Sequence, residues 1–376
     1  MFKPFTSKPF SLLFIFIAFM LSCNEPEKYR SLDFKAKNNI KASDFYKNIS
    51  FIQLETNENC LIHDPTELKV CRDKIFVVDR FAKTPNVFVF SLAGKFIGRV
   101  SKRGGGPGEF FLPANIICNV ENNRLYLTDL MKNELMAYDL DSFSFIESFK
   151  IPFYSTSVEY LDKDHLILYV GSGQKNESPF SCHIQITDLQ CNPVRSWIER
   201  DNFSIDGPYN IISNFSKTKN GVLFHHPFLN EYYHCSLADS ISACMNLNIE
   251  NINFPSRAYI ADHKQGTAKS LGKDELIQYC DLFENDESIQ LFFGVNDNKF
   301  KATYDKKMRQ GYYCNTNEII DDLGLGSVSR VKDIYNNQYV SCIFIEDLEA
   351  LPSHSLLKKI IEEDDLGKNP IVMLYN

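Results

Sequence analysis

Residues 103–113 read Arg-Gly-Gly-Gly-Pro-Gly-Glu-Phe-Phe-Leu-Pro, and residues 114–139 continue as Ala-Asn-Ile-Ile-Cys-Asn-Val, Glu-Asn-Asn, Arg-Leu-Tyr-Leu-Thr-Asp, Leu-Met-Lys-Asn and Glu-Leu-Met-Ala-Tyr-Asp. Gly104 to Gly108, four glycines around one proline, make a crossing loop, because these residues supply the backbone angles and stiffness of turns. An apolar strand, a polar turn, a second strand ending at Asp129, a short link and a third strand follow. The stretch is one all-β unit, and the remainder of the chain repeats its plan.

Second strands of the same kind begin at Asp73, Asn123, Asp164, Asn220, Glu287 and Asn336, at intervals of 50, 41, 56, 67 and 49 residues. A period of about 40–50 residues with four strands per repeat is the signature of propeller blades. Outer hairpins support the count: residues 86–90 with 95–101, 135–140 with 144–151, 183–188 with 194–199, 232–237 with 241–249, and 299–304 with 310–315. The sixth unit has inner strands at 328–334 and 338–345 but only one more strand after them, 370–375. The strand around Phe51 has no hairpin partner beside it and supplies the fourth. The reading is an all-β, six-bladed β-propeller of four-stranded antiparallel blades, its last blade closed by N- and C-terminal strands, which leaves no exposed sheet edge at the seam.

Bulk properties agree. The 376 residues are 44% hydrophobic and 13% aromatic, with 31 Phe and 18 Tyr, a composition suited to half-buried strands. A formal charge of −8 and no basic block exclude the electrostatic footprint of a nucleic-acid binder. At the N-terminus, Lys3 and Lys8 precede an apolar run at 11–21, then Ser22 and Cys23. The run is about half the roughly 20 residues a membrane-spanning helix needs, so it reads as a cleaved signal peptide. The expected organisation is a signal peptide at 1–22, a lipidated tether at 23–47, rich in Lys, Asn and Glu, and a propeller at 48–376. Ten cysteines follow Cys23 without a Cys-x-x-Cys pair, and Cys71, Cys118, Cys280 and Cys342 fall inside apolar runs as small hydrophobes. Cys235 and Cys244 flank a turn at 238–240, which leaves a bridge between them open. No zinc framework appears, and no metal site or cofactor is assigned.

The glycine-rich loop and the strands after it resemble NHL-type six-bladed propellers, and the whole chain resembles the six-bladed propeller lipoproteins common in Bacteroides-like bacteria. Cys23 behind its apolar run likewise resembles a bacterial lipobox, with lipidation of Cys23 implied; an ordinary signal peptide with an incidental cysteine is the alternative. The resemblance implies a lipid-anchored protein of the cell envelope, at the outer membrane on its periplasmic side or at the cell surface, touching membrane through the anchor only. Most such propellers are binding modules, here for a peptide, a glycan or an envelope protein partner. A minority are metal-dependent enzymes, lactonase- or lyase-like, with the site in the central channel. A structural subunit of a larger envelope complex is the third reading. No Gly-x-Ser-x-Gly or His-Glu-x-x-His occurs, so no catalytic residue is assigned.

Blade geometry places connections of one kind on each face. Turns between first and second or third and fourth strands are short and share the bottom face. Long connections at 103–113, 171–181, 200–208, 251–274, 316–326 and 346–369 share the top, where binding loops concentrate. The candidate ligand-binding residues there are Asp79, Arg80, Arg103, Glu109 and Asp129. Each has a structural alternative. Asp79 and Asp129 can end strands by accepting turn amides; the glycine loop can cradle an anion or serve as a crossover that lets Phe110 pack between blades. His225, His226 and His234 raise a metal question, which the alternation of strand side chains answers poorly for a neighbouring pair. Helices are expected at 272–283, whose last residues can instead begin the inner strand of the fifth blade, and, capped by Ser353, at 353–365.

Overall fold

The computed structural model describes residues 29–170, 182–199, 215–218, 221–225, 229–236, 241–256, 276–344, 351–359 and 369–376. Strand β1 (Arg30–Ala36), a one-turn helix α1 (Ala42–Phe45) and β2 (Ser50–Gln53) precede the ring. Blade one is β3 (Pro65–Cys71), β4 (Lys74–Asp79), β5 (Asn86–Ser91) and β6 (Phe96–Arg99). Blade two is β7 (Pro113–Asn119), β8 (Arg124–Asp129), β9 (Glu134–Asp139) and β10 (Phe145–Lys150), and blade three is β11 (Ser155–Asp162), β12 (His165–Val170), β13 (Cys182–Asp188) and β14 (Pro193–Glu199). Blade four comprises β15 (Phe215–Thr218), β16 (Gly221–His225), β17 (Glu231–Cys235) and β18 (Ser242–Ile249). Blade five comprises β19 (Ile277–Glu284), β20 (Ser288–Val295), β21 (Asn298–Asp305) and β22 (Gln310–Asn315). Blade six is β23 (Val331–Tyr335), β24 (Gln338–Ile343) and β25 (Ile371–Tyr375), completed by β2 in the order β2-β25-β24-β23. Phe51 lies opposite Met373, so the two termini share one sheet as the repeat count requires.

Each blade is sandwiched between two others, which is why the second strands carry near-continuous apolar runs, such as Ile75-Phe-Val-Val78, instead of a strict alternation. The buried side chains gather into six clusters, each joining two adjacent blades. Phe76 and Val89 meet Leu127 and Tyr138 between blades one and two, and Phe88 and Phe90 meet Val340 and Val372 across the seam between blades one and six. The bottom turns use residues that tolerate left-handed backbone, including Asn123 (φ 53°) and Asn336 (φ 48°).

One part of the expected tether is structured. Residues 30–36 form β1, which lies parallel to the outer strand of blade four (Arg30 opposite Met245, Phe34 opposite Ile249) and to that of blade five (Phe34 opposite Gly311, Ala36 opposite Tyr313). It fuses the two blades into a nine-stranded sheet. Leu32 and Phe34, at alternate positions, are 2% and 1% exposed in the core between these blades. Burying two such side chains contributes about 1.5–3 kcal/mol each. Gly311 makes the approach possible: a Cβ there would stand 2.6 Å from the Asp33 carbonyl oxygen and 2.8 Å from the Phe34 ring.

Two other expectations change. Residues 277–283 of the segment read as a helix at 272–283 take the alternative and open the inner strand β19, with Ile277 and Cys280 buried in the sheet core; 257–275 lie outside the described residues. Within 353–365 the described part is a single 3-10 turn, Leu357–Lys359, and the hydroxyl of Ser355, not Ser353, accepts the Leu357 amide at 3.1 Å; 360–368 lie outside. Cys235 and Cys244 are both buried and are not bridged to each other. Cys23 and the signal region, and most of the long loops at 171–181, 200–208, 251–274 and 346–369, also lie outside the described residues. No helix among the described residues is long and apolar enough to cross a membrane.

Candidate functional site

The six inner strands bound the central channel, and their side chains there are charged. Alternation along a strand puts residues two apart on one face, so Glu67 and Lys69 of β3 project together. Glu159 of β11, Lys217 of β15, Asp281 of β19 and Asp333 of β23 line the same cavity of about 190 Å³, and Arg80 and Phe81 stand at its top-face end.

Most of these charges answer one another across blades. The Lys69 ammonium lies 3.0 Å from Glu159 Oε2 and 3.3 Å from Asp333 Oδ1, tying blade one to blades three and six. Burial alone pulls the Lys69 pKa down, but the Asp333 and Glu159 carboxylates outweigh it and hold it well above the usual lysine value. Burial pushes the Glu159 carboxyl up; Lys69 and then Lys217 more than reverse this and hold it below the usual range. Arg330 pairs with Asp281, joining blades six and five, while its guanidinium lies 5.7 Å from the Tyr279 ring centroid. Glu67 has weaker support. It accepts from the Ile116 amide at 2.9 Å and from Asn115 Nδ2 at 3.3 Å, and burial pushes its carboxyl up to about 7 despite that amide and the nearby Lys69 and Arg80.

Three charged groups on the lining differ. Lys217, Lys332 and Asp64 form no ion pair among the described residues. Lys217 rests its ammonium 4.7 Å from the centroid of Tyr160, and Lys332 is half-buried beside Asp333 on β23. Lys332 is the second residue of β23, near its top end, whereas Lys217 is the third of the four residues of β15, one step from the bottom turn, so the two ammonium groups sit at different depths along the channel.

The residues singled out from the sequence divide. Arg80 lines the cavity, donating from Nε to the Pro113 carbonyl at 2.9 Å and from Nη2 to that of Ala114 at 3.2 Å, so it also clasps blade one to blade two. Asp79 and Asp129 are each 1% exposed and engaged with backbone. Asp79 accepts the amides of His63 (2.8 Å) and Asp64 (3.1 Å). Asp129 accepts four, from Phe111 (2.6 Å), Leu112 (3.2 Å), Met131 (2.9 Å) and Lys132 (3.2 Å). Glu109 turns back on its own loop, taking the Gly106 amide at 2.9 Å and pairing with Lys102, not Arg103, at 3.1 Å. Arg103 makes a backbone bridge with Phe110, which is fully buried between blades one and two. The amides of Gly104 and Gly106 are thus occupied inside the loop. Gly108 has φ 71° and leaves no room for a side chain, since a Cβ would meet the Phe145 ring at 2.5 Å.

His225 is buried, stacked on Tyr232 at 4.3 Å, with Nε2 2.9 Å from the Leu229 carbonyl oxygen, and burial lowers its pKa to about 4. It is a neutral packing residue; His226 lies outside the described residues. Among the described residues no three His, Cys, Asp or Glu side chains are arranged to hold a metal ion.

A family model described as 6-bladed beta-propeller matches residues 22–341. Among solved structures, a protein of Bacteroides fragilis NCTC 9343 assigned as exported has a TM-score of 0.80 at 18% identity, covering 92% of this chain and 99% of its own. A member of a separate family from Bacteroides vulgatus ATCC 8482 has a TM-score of 0.52 at 8% identity, covering 87% of this chain and 97% of its own. At these identities the likeness is one of fold. No curated protein matches the chain.

Proposed function

The chain belongs to the 6-bladed beta-propeller family, and on that footing we propose that it is an exported, lipid-anchored binding module of the cell envelope, of NHL-like kind, that takes a carboxylate-bearing peptide into its channel from the top face. The signal region and Cys23 support export and anchoring, and the assignment of the Bacteroides fragilis protein as exported is in keeping with them. The glycine-rich crossover at 104–108 supports the NHL-like kinship.

One observation carries the ligand class. In a cavity whose other cations are bound by carboxylates or carbonyls, Lys217 and Lys332 form no ion pair among the described residues, although Lys217 adds to the field that lowers the Glu159 carboxyl, and they are the cations best placed to meet an anion brought from outside. At about 190 Å³ the space admits a side chain or a chain terminus, not a folded domain. A peptide, or the exposed tail of a partner protein, meets both conditions. A neutral glycan would desolvate these ammonium groups without bringing a carboxylate to pair with them.

The test is to pan a random-peptide display library against purified mature protein and to compare the enriched peptides on wild type and on the double variant Lys217→Gln, Lys332→Gln. We expect acidic side chains or free C-termini among them, and affinity weakened by about tenfold or more in the variant, as for removal of a charge-paired contact. Peptides that bind both proteins equally would place recognition elsewhere.

A further inference from the structure

We infer that the propeller meets its membrane through its bottom rim at blade five, beside the start of β1, so that the channel mouth faces away from the lipid. The inference rests on the lipid anchor at Cys23 proposed above, and it adds the surface that the anchor brings to the bilayer.

The direction of β1 carries the argument. In every blade the inner strand runs from top to bottom, and each antiparallel step reverses it, so the outer strands β18 and β22 run from bottom to top. Strand β1 is parallel to both, and its first residue, Arg30, therefore stands at the bottom. Side chains agree: Arg30 Nη1 is 2.8 Å from Glu284 Oε1, at the bottom end of inner strand β19, and Lys306, in a bottom turn, reaches the same oxygen at 2.7 Å. At the other end, the Ala36 amide donates to Glu250, just past the top of β18, at 2.9 Å. The exit point is fixed, since β1 is hydrogen-bonded on both sides and its Leu32 and Phe34 are buried.

Reach then decides the orientation. Seven residue steps separate Cys23 from Arg30, and a fully extended chain of that length spans at most about 25 Å. The strands of blade five, 6 to 8 residues long, rise about 20–26 Å between the two faces. A tether leaving at the bottom would use its whole length climbing to the top face, with nothing left to cross to a bilayer lying there.

The rim is of suitable chemistry. The bottom turn after β21 presents Lys307, Met308 and Arg309, all exposed, with Met308 at 64%, and Tyr29 is 51% exposed just before β1. An apolar side chain between two cations suits the headgroup boundary, where long basic side chains reach phosphate while apolar groups dip inward. Asp286 and Glu287, exposed at the same end of the blade, offset the positive charge. The acyl chains therefore provide the attachment and this rim its orientation.

The experiment uses the full chain expressed in a bacterium that processes lipoproteins. Metabolic labelling with a fatty acid first asks whether label enters the wild type and is lost in Cys23→Ala; absence of label refutes the anchor reading, independently of orientation. Photo-crosslinking p-benzoylphenylalanine is then placed at Met308 or at Phe81, which is 55% exposed at the channel mouth, in cells fed labelled phospholipid. With Cys23 labelled, we expect lipid adducts at position 308 and about background at 81. Adducts at 81, equal adducts at both positions or none at 308 would each overturn the orientation.

Discussion

The carboxylates that close strands and those that line the channel are the same chemical group, buried to a similar extent and satisfied in opposite ways. Asp129, 1% exposed, is held by four backbone amides, all within 18 residues of it in sequence. Glu159 and Asp333 share one ammonium, that of Lys69, from strands 90 and 264 residues away. The first arrangement forms as soon as a blade folds. The second exists only when the ring has closed and brings three blades to one axis. A buried carboxylate in this fold therefore stabilises either a turn or the closed ring, and its partner tells which.

Removing the shared cation breaks the comparison most severely. In Lys69→Met two channel carboxylates lose the cation they share, and undercompensated buried ions cost several kcal/mol. Because the Lys69 side chain retains 17% exposure, we expect a loss of about 3 kcal/mol in unfolding free energy by denaturant titration. Adding Glu159→Gln and Asp333→Asn should restore most of it, because an uncharged channel leaves no ion unpaired. A single variant as stable as wild type would show that water screens the channel charges.

A smaller, local effect is expected at the other carboxylate. Asp129→Ala frees four amides, two on each side of the top of blade two, and we expect about 2 kcal/mol of destabilisation, since some of these amides can turn to water. Hydrogen exchange should quicken at residues 111, 112, 131 and 132 while blades four and five keep their protection. A loss of protection spread around the ring would erase the distinction between turn and ring carboxylates.

How legible these features were follows the same division. Blade number, hairpins and seam were readable because each blade repeats local patterns, and the turn role of Asp79 and Asp129 was an available alternative for the same reason. The charged side chains inside the channel were not singled out, yet a signal existed. Glu67 and Lys69 flank Leu68, and Glu159 lies between Val158 and Tyr160. A charge on the inner strand of a closed ring has only the axis to face. Which charges pair depends on contacts between blades up to 264 residues apart, which no local pattern contains. Strand β1 is a third case: Leu32 and Phe34 alternate with Asp33 and Lys35, a strand signal hidden within a polar segment, and its partners are again remote.

The finest test of the channel is Glu67, whose carboxyl burial pushes up from an ordinary 4.5 to about 7. Between those values the folded state binds more protons than the unfolded chain, so this group's contribution is complete below about 4.5 and is lost as pH rises through 7. Two other buried groups run the opposite way. His225, lowered to about 4, makes stability rise up to its ordinary 6.5, and Lys301, lowered to about 7, does so from there to 10.5. The raw pH profile therefore mixes the three, whereas the difference between wild type and Glu67→Gln isolates one, because both proteins keep His225 and Lys301. That difference should shift in favour of the Gln variant between pH 4.5 and 7, by about 2 kcal/mol given the side chain's partial exposure, and then level off. A flat difference would mean that Glu67 is ionised in the closed ring. Arg80, 7% exposed and bonded to the Pro113 and Ala114 carbonyls, would then be its counter-charge as well as a clasp on blade two.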